Sequence, residues 1–283
     1  MKKIISTILA LSILLFLGCS SATPTATQDT ISLEGKEVST YLVGGYMDVK
    51  TASAKLKEAG FEVLANYASV KKGNTIVFTN DALKKEAAKP GRAYVAVMRL
   101  FIDNKEKMIS FTNPVYFGKA YMQDEYKHSI FLGVKESITK SFPDLQDSKD
   151  KLEFDKLADY HYMMGMPYYQ EQDELGSAPH AELIKKAKKF KHGKHLVFEL
   201  KLSDSSTLLG YELERRTKKF VKKIGRANAA VLPYCVAIEN GKAKALGAKY
   251  YLALSYPLLT LGEFMTIATV PGAIEKELAK PFK

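Results

Sequence analysis

Apolar and polar positions along this chain change period in an order that occurs twice. Residues 38–45 suit a strand, with Gly44-Gly45 loosening its end. Asp48 is placed to cap a helix reaching residue 59, with Ala52, Leu56 and Ala59 on one face and Gly60 closing it. Strands follow at 61–67 and 75–79, separated by the turn Lys71-Lys72-Gly73-Asn74. Asn80 or Asp81 caps a second helix through residue 88, which Pro90-Gly91 stops. A long strand at 94–102, the turn Asp103-Asn104-Lys105 and a strand at 108–112 come next; Asn113-Pro114 then opens helical material to residue 142.

A charged, proline-started segment at 143–155 is the expected boundary, after which the order recurs. A strand is expected at 160–166, ended by Pro167, and Pro179 opens a helix with Leu183, Ile184, Ala187 and Phe190 on one face. Strands at 195–202 and 207–211 precede a helix whose stripe is Leu213, Thr217, Phe220, Val221 and Ile224. Residues 229–238 and 242–246 form a hairpin about Glu239-Asn240-Gly241, since Asn-Gly tolerates the positive φ that a two-residue turn needs. Apolar segments at 250–269 and a helix from Pro271 end the chain, with Ile274 and Leu278 matching Ile138 and Phe142.

The repeat is most visible at two sites. Gly91-Arg92-Ala93 follows a basic helix and leads into an apolar run and a polar turn, and Gly225-Arg226-Ala227 does the same. These patterns predict an α+β protein of two similar halves, 37–145 and 156–283, each a largely antiparallel sheet with helices on one face.

Composition sets the scale and the address. With 283 residues and 46% hydrophobic content the chain can bury a substantial core. Met1-Lys2-Lys3 followed by an apolar run to Leu17 is too short for a membrane span and reads as a secretory signal over 1–18. Leu15-Phe16-Leu17-Gly18-Cys19 resembles the lipobox of bacterial lipoproteins, with Phe16 where leucine is commonest, and implies that Cys19 is lipidated and becomes the mature N-terminus. Ser20 after the cysteine resembles lipoproteins sent to the outer membrane. Residues 19–36 begin small and polar and should act as a flexible tether. Acyl chains contribute about 0.8 kcal/mol per buried methylene, enough when several are attached to hold the protein on a membrane. With Cys19 occupied, Cys235 is the remaining thiol and no internal disulfide forms. Losing Lys2 and Lys3 with the signal changes 42 basic residues against 31 acidic to 40 against 31, a charge of +9. That excess favours an anionic lipid surface or an acidic envelope protein as partner. No nucleic-acid motif is present, and no cofactor is implied.

The run Leu232-Pro233-Tyr234-Cys235-Val236-Ala237-Ile238-Glu239-Asn240-Gly241-Lys242 resembles a bacterial family of unknown function, the one numbered 302. Its members carry a helix, an aliphatic-Pro-Cys strand, a polar Gly turn and a second strand. The resemblance covers residues 194–280 best and 57–142 less well, so the chain reads as a divergent tandem. It implies a TATA-binding-protein-like sheet with helices on one side. Tyr234 stands in the family's cysteine slot, with Cys235 one place later, and the first copy has Arg99-Leu100 in place of Pro-Cys. A one-residue shift turns a strand side chain to the other face, so no property of the family cysteine transfers to Cys235.

Candidate chemistry is sparse. Cys235 is a candidate nucleophile, but an apolar run without histidine or carboxylate neighbours favours a buried, inert thiol, and no catalytic residue is assigned. His161 and Met163 suit soft copper(I), yet methionine also fills irregular cores. Tyr160, Tyr162, Tyr168, Tyr169 and Tyr234 are candidates to rim a pocket for a small apolar ligand. Lys185, Lys186, Lys188, Lys189 and Lys191 form a dense basic segment that would face anionic lipid, or else simply offset the helix dipole. His192 and His195 nearby lack the cysteines or glutamate of a specific zinc motif. The expected function is non-catalytic binding of a small apolar molecule or an envelope partner by a lipid-anchored protein; the alternative is a redox or copper-related accessory role through Cys235 or His161 and Met163.

Overall fold

The computed structural model describes residues 33–283, so the signal segment, the lipidation of Cys19 and most of the tether lie outside the described residues. The first half contains β1 (Glu37–Ser39), β2 (Tyr41–Gly45), α1 (Val49–Glu58), β3 (Glu62–Val70), β4 (Gly73–Thr79), α2 (Asp81–Ala87), β5 (Met98–Asp103), β6 (Met108–Thr112), α3 (Pro114–Met122) and α4 (His128–Ser141). Two short strands, β7 (Gln146–Asp147) and β8 (Lys151–Glu153), lie in the connector. The second half contains β9 (Asp173–Ser177), α5 (His180–Lys189), β10 (Leu196–Lys201), β11 (Ser206–Tyr211), α6 (Phe220–Ile224), β12 (Tyr234–Glu239), β13 (Lys242–Ala245), α7 (Ala248–Ser255), α8 (Leu261–Thr266) and α9 (Val270–Ala279).

The fold is α+β with antiparallel sheets. One sheet has the order β3-β4-β5-β6-β2-β7 and the other β10-β11-β12-β13-β9. Without β7, which the connector adds to the edge of β2, the two orders are the same when each half is counted from its own first sheet strand. The expected repeat is thus present in strand order, and in both halves the strand that precedes the first helix pairs with the last.

Local chemistry explains most element starts. The Asp48 carboxylate accepts from the backbone N–H groups of Lys50 and Thr51, each at 3.0 Å, and the Asn80 side chain accepts from Leu83 N–H at 2.9 Å. Thr260 and Glu263 form a reciprocal capping box at the start of α8. Asn240 and Gly241 both adopt positive φ, 49° and 75°, and join β12 to β13 in the expected two-residue turn.

All six residues of β5 are buried, and all of β12 except Glu239. Both faces of these central strands are therefore covered, which is why their sequences read as largely apolar runs, interrupted in β5 by Arg99 and Asp103. On one face of the first sheet, Leu100 pairs with Phe111, whose ring meets Phe142 at the end of α4 at 4.8 Å. On the other face, Arg99, Phe101 and Asp103 turn toward the second half.

Several expectations are corrected. No strand forms at 160–166, where the chain makes bends and turns with Gly165 at φ +80°; the corresponding sheet position is taken by β9, beside β13. The strands expected to begin at residues 94 and 229 instead begin with 3-10 turns, Ala93–Ala96 and Ala229–Val231, and the Leu232–Pro233 peptide is cis. The helix expected to carry Leu213 shortens to a 3-10 turn at Thr217–Lys219 and then α6, and Leu213 lies in the irregular link that follows β11. The segment 143–155 pairs through β7 with β2 and through β8 with β1, so it is integrated into the first half.

Candidate functional site

The seam between the halves is built by the repeated Gly-Arg-Ala segments. Arg226 of the second copy crosses to the first half, where its Nε and Nη2 donate to the two carboxylate oxygens of Asp103 at 2.7 and 2.9 Å. It also donates to Lys72 O at 2.8 Å and lies 5.8 Å from the Phe101 ring. Burial would raise the Asp103 pKa, but Arg226 and the backbone N–H groups of Glu106 and Lys105 outweigh it and hold the carboxyl below its usual value. The first copy crosses in return, with Gly91 N–H donating to the Glu239 carboxylate at 3.3 Å. Asp103 and Glu239 are the last residues of β5 and β12, so each half receives the other's loop at the same place in its sheet. The side chains then diverge: Arg92 turns to Glu125, Tyr121 O and Gln123, and lies against the Tyr169 ring at 5.7 Å.

Four residues before these carboxylates stand Arg99 and Cys235, at equivalent positions on equivalent strands. They meet across the seam. Arg99 Nη2 donates to Cys235 Sγ at 2.9 Å and to Pro233 O at 3.2 Å. Arg99 is 5% exposed, its Nε is buried without a partner, and no carboxylate among the described residues forms an ion pair with it. A guanidinium does not lose its proton in a protein, so this charge is permanent. Beside it is a water-sized cavity bordered by Arg99, Cys235, Tyr94, Tyr121, Tyr234 and Tyr251. Three of these hydroxyls are committed, Tyr94 to Lys244 O, Tyr234 to Leu246 O and Tyr251 to Val231 O, whereas the Tyr67 hydroxyl, in electrostatic reach of Arg99, is buried without a partner. Burial pushes the Cys235 thiol up and Arg99 pulls it partly back; the net shift is upward, which keeps the thiol neutral near pH 7.

The five candidate tyrosines do not form one rim. Tyr169 is buried against Tyr94, Tyr121 and Tyr250 and donates to Gly91 O at 2.6 Å, which makes it part of the seam. Tyr160 also packs near Tyr250, Tyr234 meets Tyr251 edge-on, Tyr162 stacks on Phe264, and Tyr168 lies against His161. The alternating faces expected for a strand do not exist here, because the segment is not extended. His161 therefore packs on an aromatic ring at 4.4 Å, while Met163 is exposed. Among the described residues there is no group of three or more His, Cys, Asp or Glu placed to hold a metal.

The basic segment is partly neutralised. Lys186 pairs with Glu182, Lys188 with Glu199 and Lys191 with Glu214, leaving Lys185 and Lys189 outside the ion pairs of the described residues. His192 has positive φ and is exposed, and His195 turns its Nδ1 to Glu212 O, so the two imidazoles serve different surroundings.

A different surface stands out. Leu258, Leu261 and Met265 are 58%, 53% and 62% exposed on and just before α8, and Met163 and Met164 project from the neighbouring segment. Tyr162 joins the two segments by stacking on Phe264 at 5.2 Å and donating to Leu259 O at 2.8 Å. Leu261 and Met265 are one helical turn apart on the outer side, while Phe264 and Ile267 are buried. The adjacent α6 presents exposed Lys222 and Lys223, and Lys223 donates to Thr266 O.

Comparisons with protein families, with curated proteins and with solved structures returned no match for this chain. In the sequence Arg99 stands only as a departure from a family pattern, and nothing there pairs Asp103 with Arg226. One signal was present: Arg99 is the lone charge within an otherwise apolar run at 93–102.

Proposed function

We propose that this protein is a lipid-anchored module of the bacterial cell envelope that works by binding an envelope protein and not by catalysis. The observation that carries this reading is the apolar surface of Leu258, Leu261, Met265, Met163 and Met164, which protrudes beside the cations of α6. Clustered exposed apolar side chains with a charged margin are the usual character of a protein-binding face. A small apolar ligand is the weaker branch, because the cavity beside Arg99 and the one bordered by Phe190, Tyr211 and Leu278 each have room for little more than water. Among the described residues no helix is long and apolar enough to cross a membrane, so anchoring in this reading falls to lipid on Cys19. Outer-membrane placement facing the periplasm, and membership of the family numbered 302, belong to the same reading; the shared strand order of the halves supports the tandem.

The redox alternative draws on the Arg99 contact with Cys235, but the raised pKa and the burial of that thiol weigh against it. The copper alternative draws on His161 and Met163 standing two residues apart in sequence, and identical weak copper uptake by wild type and by His161→Ala with Met163→Ala would remove it.

The test of the main reading uses the full chain in intact cells with a photo-crosslinking residue at position 261. One discrete adduct with an envelope protein, absent when the probe stands at the exposed position 204 on the β10–β11 turn, supports it. Adducts with lipid alone, or none, overturn it. Palmitate labelling that persists in Cys19→Ser would overturn the anchoring site independently.

A further inference from the structure

We propose that the seam contains a binding site for a small monovalent anion of the halide class, held beside the Arg99 guanidinium in the cavity that Cys235, Tyr94, Tyr121, Tyr234 and Tyr251 complete. The inference is independent of any envelope role.

Charge balance motivates it. A permanently charged guanidinium removed from water is costly unless an opposite charge or a full set of acceptors replaces its hydration. Arg99 has two identified acceptors, Pro233 O and the Cys235 sulfur, both shared by one nitrogen, Nη2. A neutral thiol supplies no negative charge, and no carboxylate among the described residues pairs with Arg99. Nε remains a buried donor with nothing to donate to.

The cavity's chemistry selects the occupant. Its walls are four tyrosines and Leu246 with no carboxylate among them, and its size suits a monatomic ion better than a phosphate, sulfate or carboxylate. Tyr94, Tyr234 and Tyr251 already donate to backbone carbonyls and the Cys235 S–H is directed at Pro233 O, 4.0 Å away, which leaves Arg99, with its unpartnered Nε, as the charged donor. Arg99 belongs to the first half, whereas Pro233 and Cys235 belong to the second. An anion bound here would neutralise the one charge that faces across the seam at this point, and its binding energy would add to the association of the halves.

The experiment compares the full-length protein in sodium chloride, sodium bromide and sodium gluconate at matched ionic strength, so that general screening is constant. Thermal midpoints are expected to rise by several degrees and to saturate with chloride or bromide, but not with gluconate, which is too large to enter. Chlorine NMR linewidths should broaden on adding protein and narrow again with bromide. Arg99→Met removes the charge while keeping volume, and Cys235→Leu fills the cavity while keeping the arginine; each is expected to abolish both effects, so a folding failure in one leaves the other as the control. Absence of broadening and of a midpoint shift in the wild type overturns the proposal and leaves water as the occupant. Undiminished broadening in a folded variant overturns it too, as does the ultraviolet signature of a Cys235 thiolate at pH 7, which would make the cysteine itself the counter-ion.

Discussion

Arg226 grips both carboxylate oxygens of Asp103 from the opposite half of the molecule, and Asp103 is completely buried. Removing one partner of such a pair leaves an uncompensated charge at the seam. Asp103→Asn is therefore expected to cost about 3–5 kcal/mol, measured by urea unfolding at pH 7. The pH dependence has a definite sign. The Asp103 pKa is lower in the folded protein, so its stabilisation is complete above the unfolded value of about 3.9 and is lost as pH falls through the folded value. Unfolding midpoints of wild type should fall below about pH 4 more steeply than those of Asp103→Asn. Parallel acid limbs would show that Arg226 does not control this carboxylate.

Cys235 is expected to ignore thiol reagents in the folded protein and to react fully once denaturant is added, since it is buried and its pKa is raised. Reaction of the native protein at the rate of a free thiol would return the cysteine to the list of catalytic candidates.

Gly210 pairs directly with Cys235 across β11 and β12, and the Phe198 ring lies where its side chain would be. A Cβ at Gly210 would stand 2.2 Å from that ring. Gly210→Ala should therefore destabilise by about 1–3 kcal/mol through overpacking. Gly45→Ala, with nothing within 4 Å of the added atom, is the matched control and should fall within about 0.5 kcal/mol of wild type. Equal effects at the two positions would mean that Phe198 moves aside without cost.

Leu261→Ser with Met265→Gln changes two exposed side chains and leaves Phe264 and Ile267 in place. Stability is expected to stay within about 1 kcal/mol, taking about 0.5 kcal/mol for each surface substitution. The crosslinked envelope adduct, read with the probe moved to position 258, should fall severalfold. A large loss of stability would instead make these residues part of the packing of α8.

Local rules made much of this fold legible from the sequence. Asp48 and Asn80 cap the helices they were expected to cap, because a short side-chain acceptor followed by an amphipathic run has few alternatives. Asn240-Gly241 turns where it must, because few residue pairs accept positive φ twice. The repeated order of elements, and with it the α+β class, followed from changes of hydrophobic period alone. Arg99 and Cys235 were both visible as residues, but their meeting was not.

The sequence by itself thus determined most of the local elements, their antiparallel hairpins and the recurrence of one strand order in two halves. Tertiary structure decided what each half presents to the other. Residues 160–166 carry strand-forming side chains, yet an edge strand needs a vacant neighbour, and β9 occupies that edge beside β13. The two Gly-Arg-Ala segments look alike, but Arg226 reaches Asp103 while Arg92 is drawn to Glu125 and Gln123, because side-chain partners depend on what the other half places nearby. Arg99 looks like a misplaced charge in an apolar strand until the second half supplies Pro233 and Cys235 from 134 and 136 residues away. Periodicity encodes which face of a strand is buried, and only the packed halves define what that face is buried against.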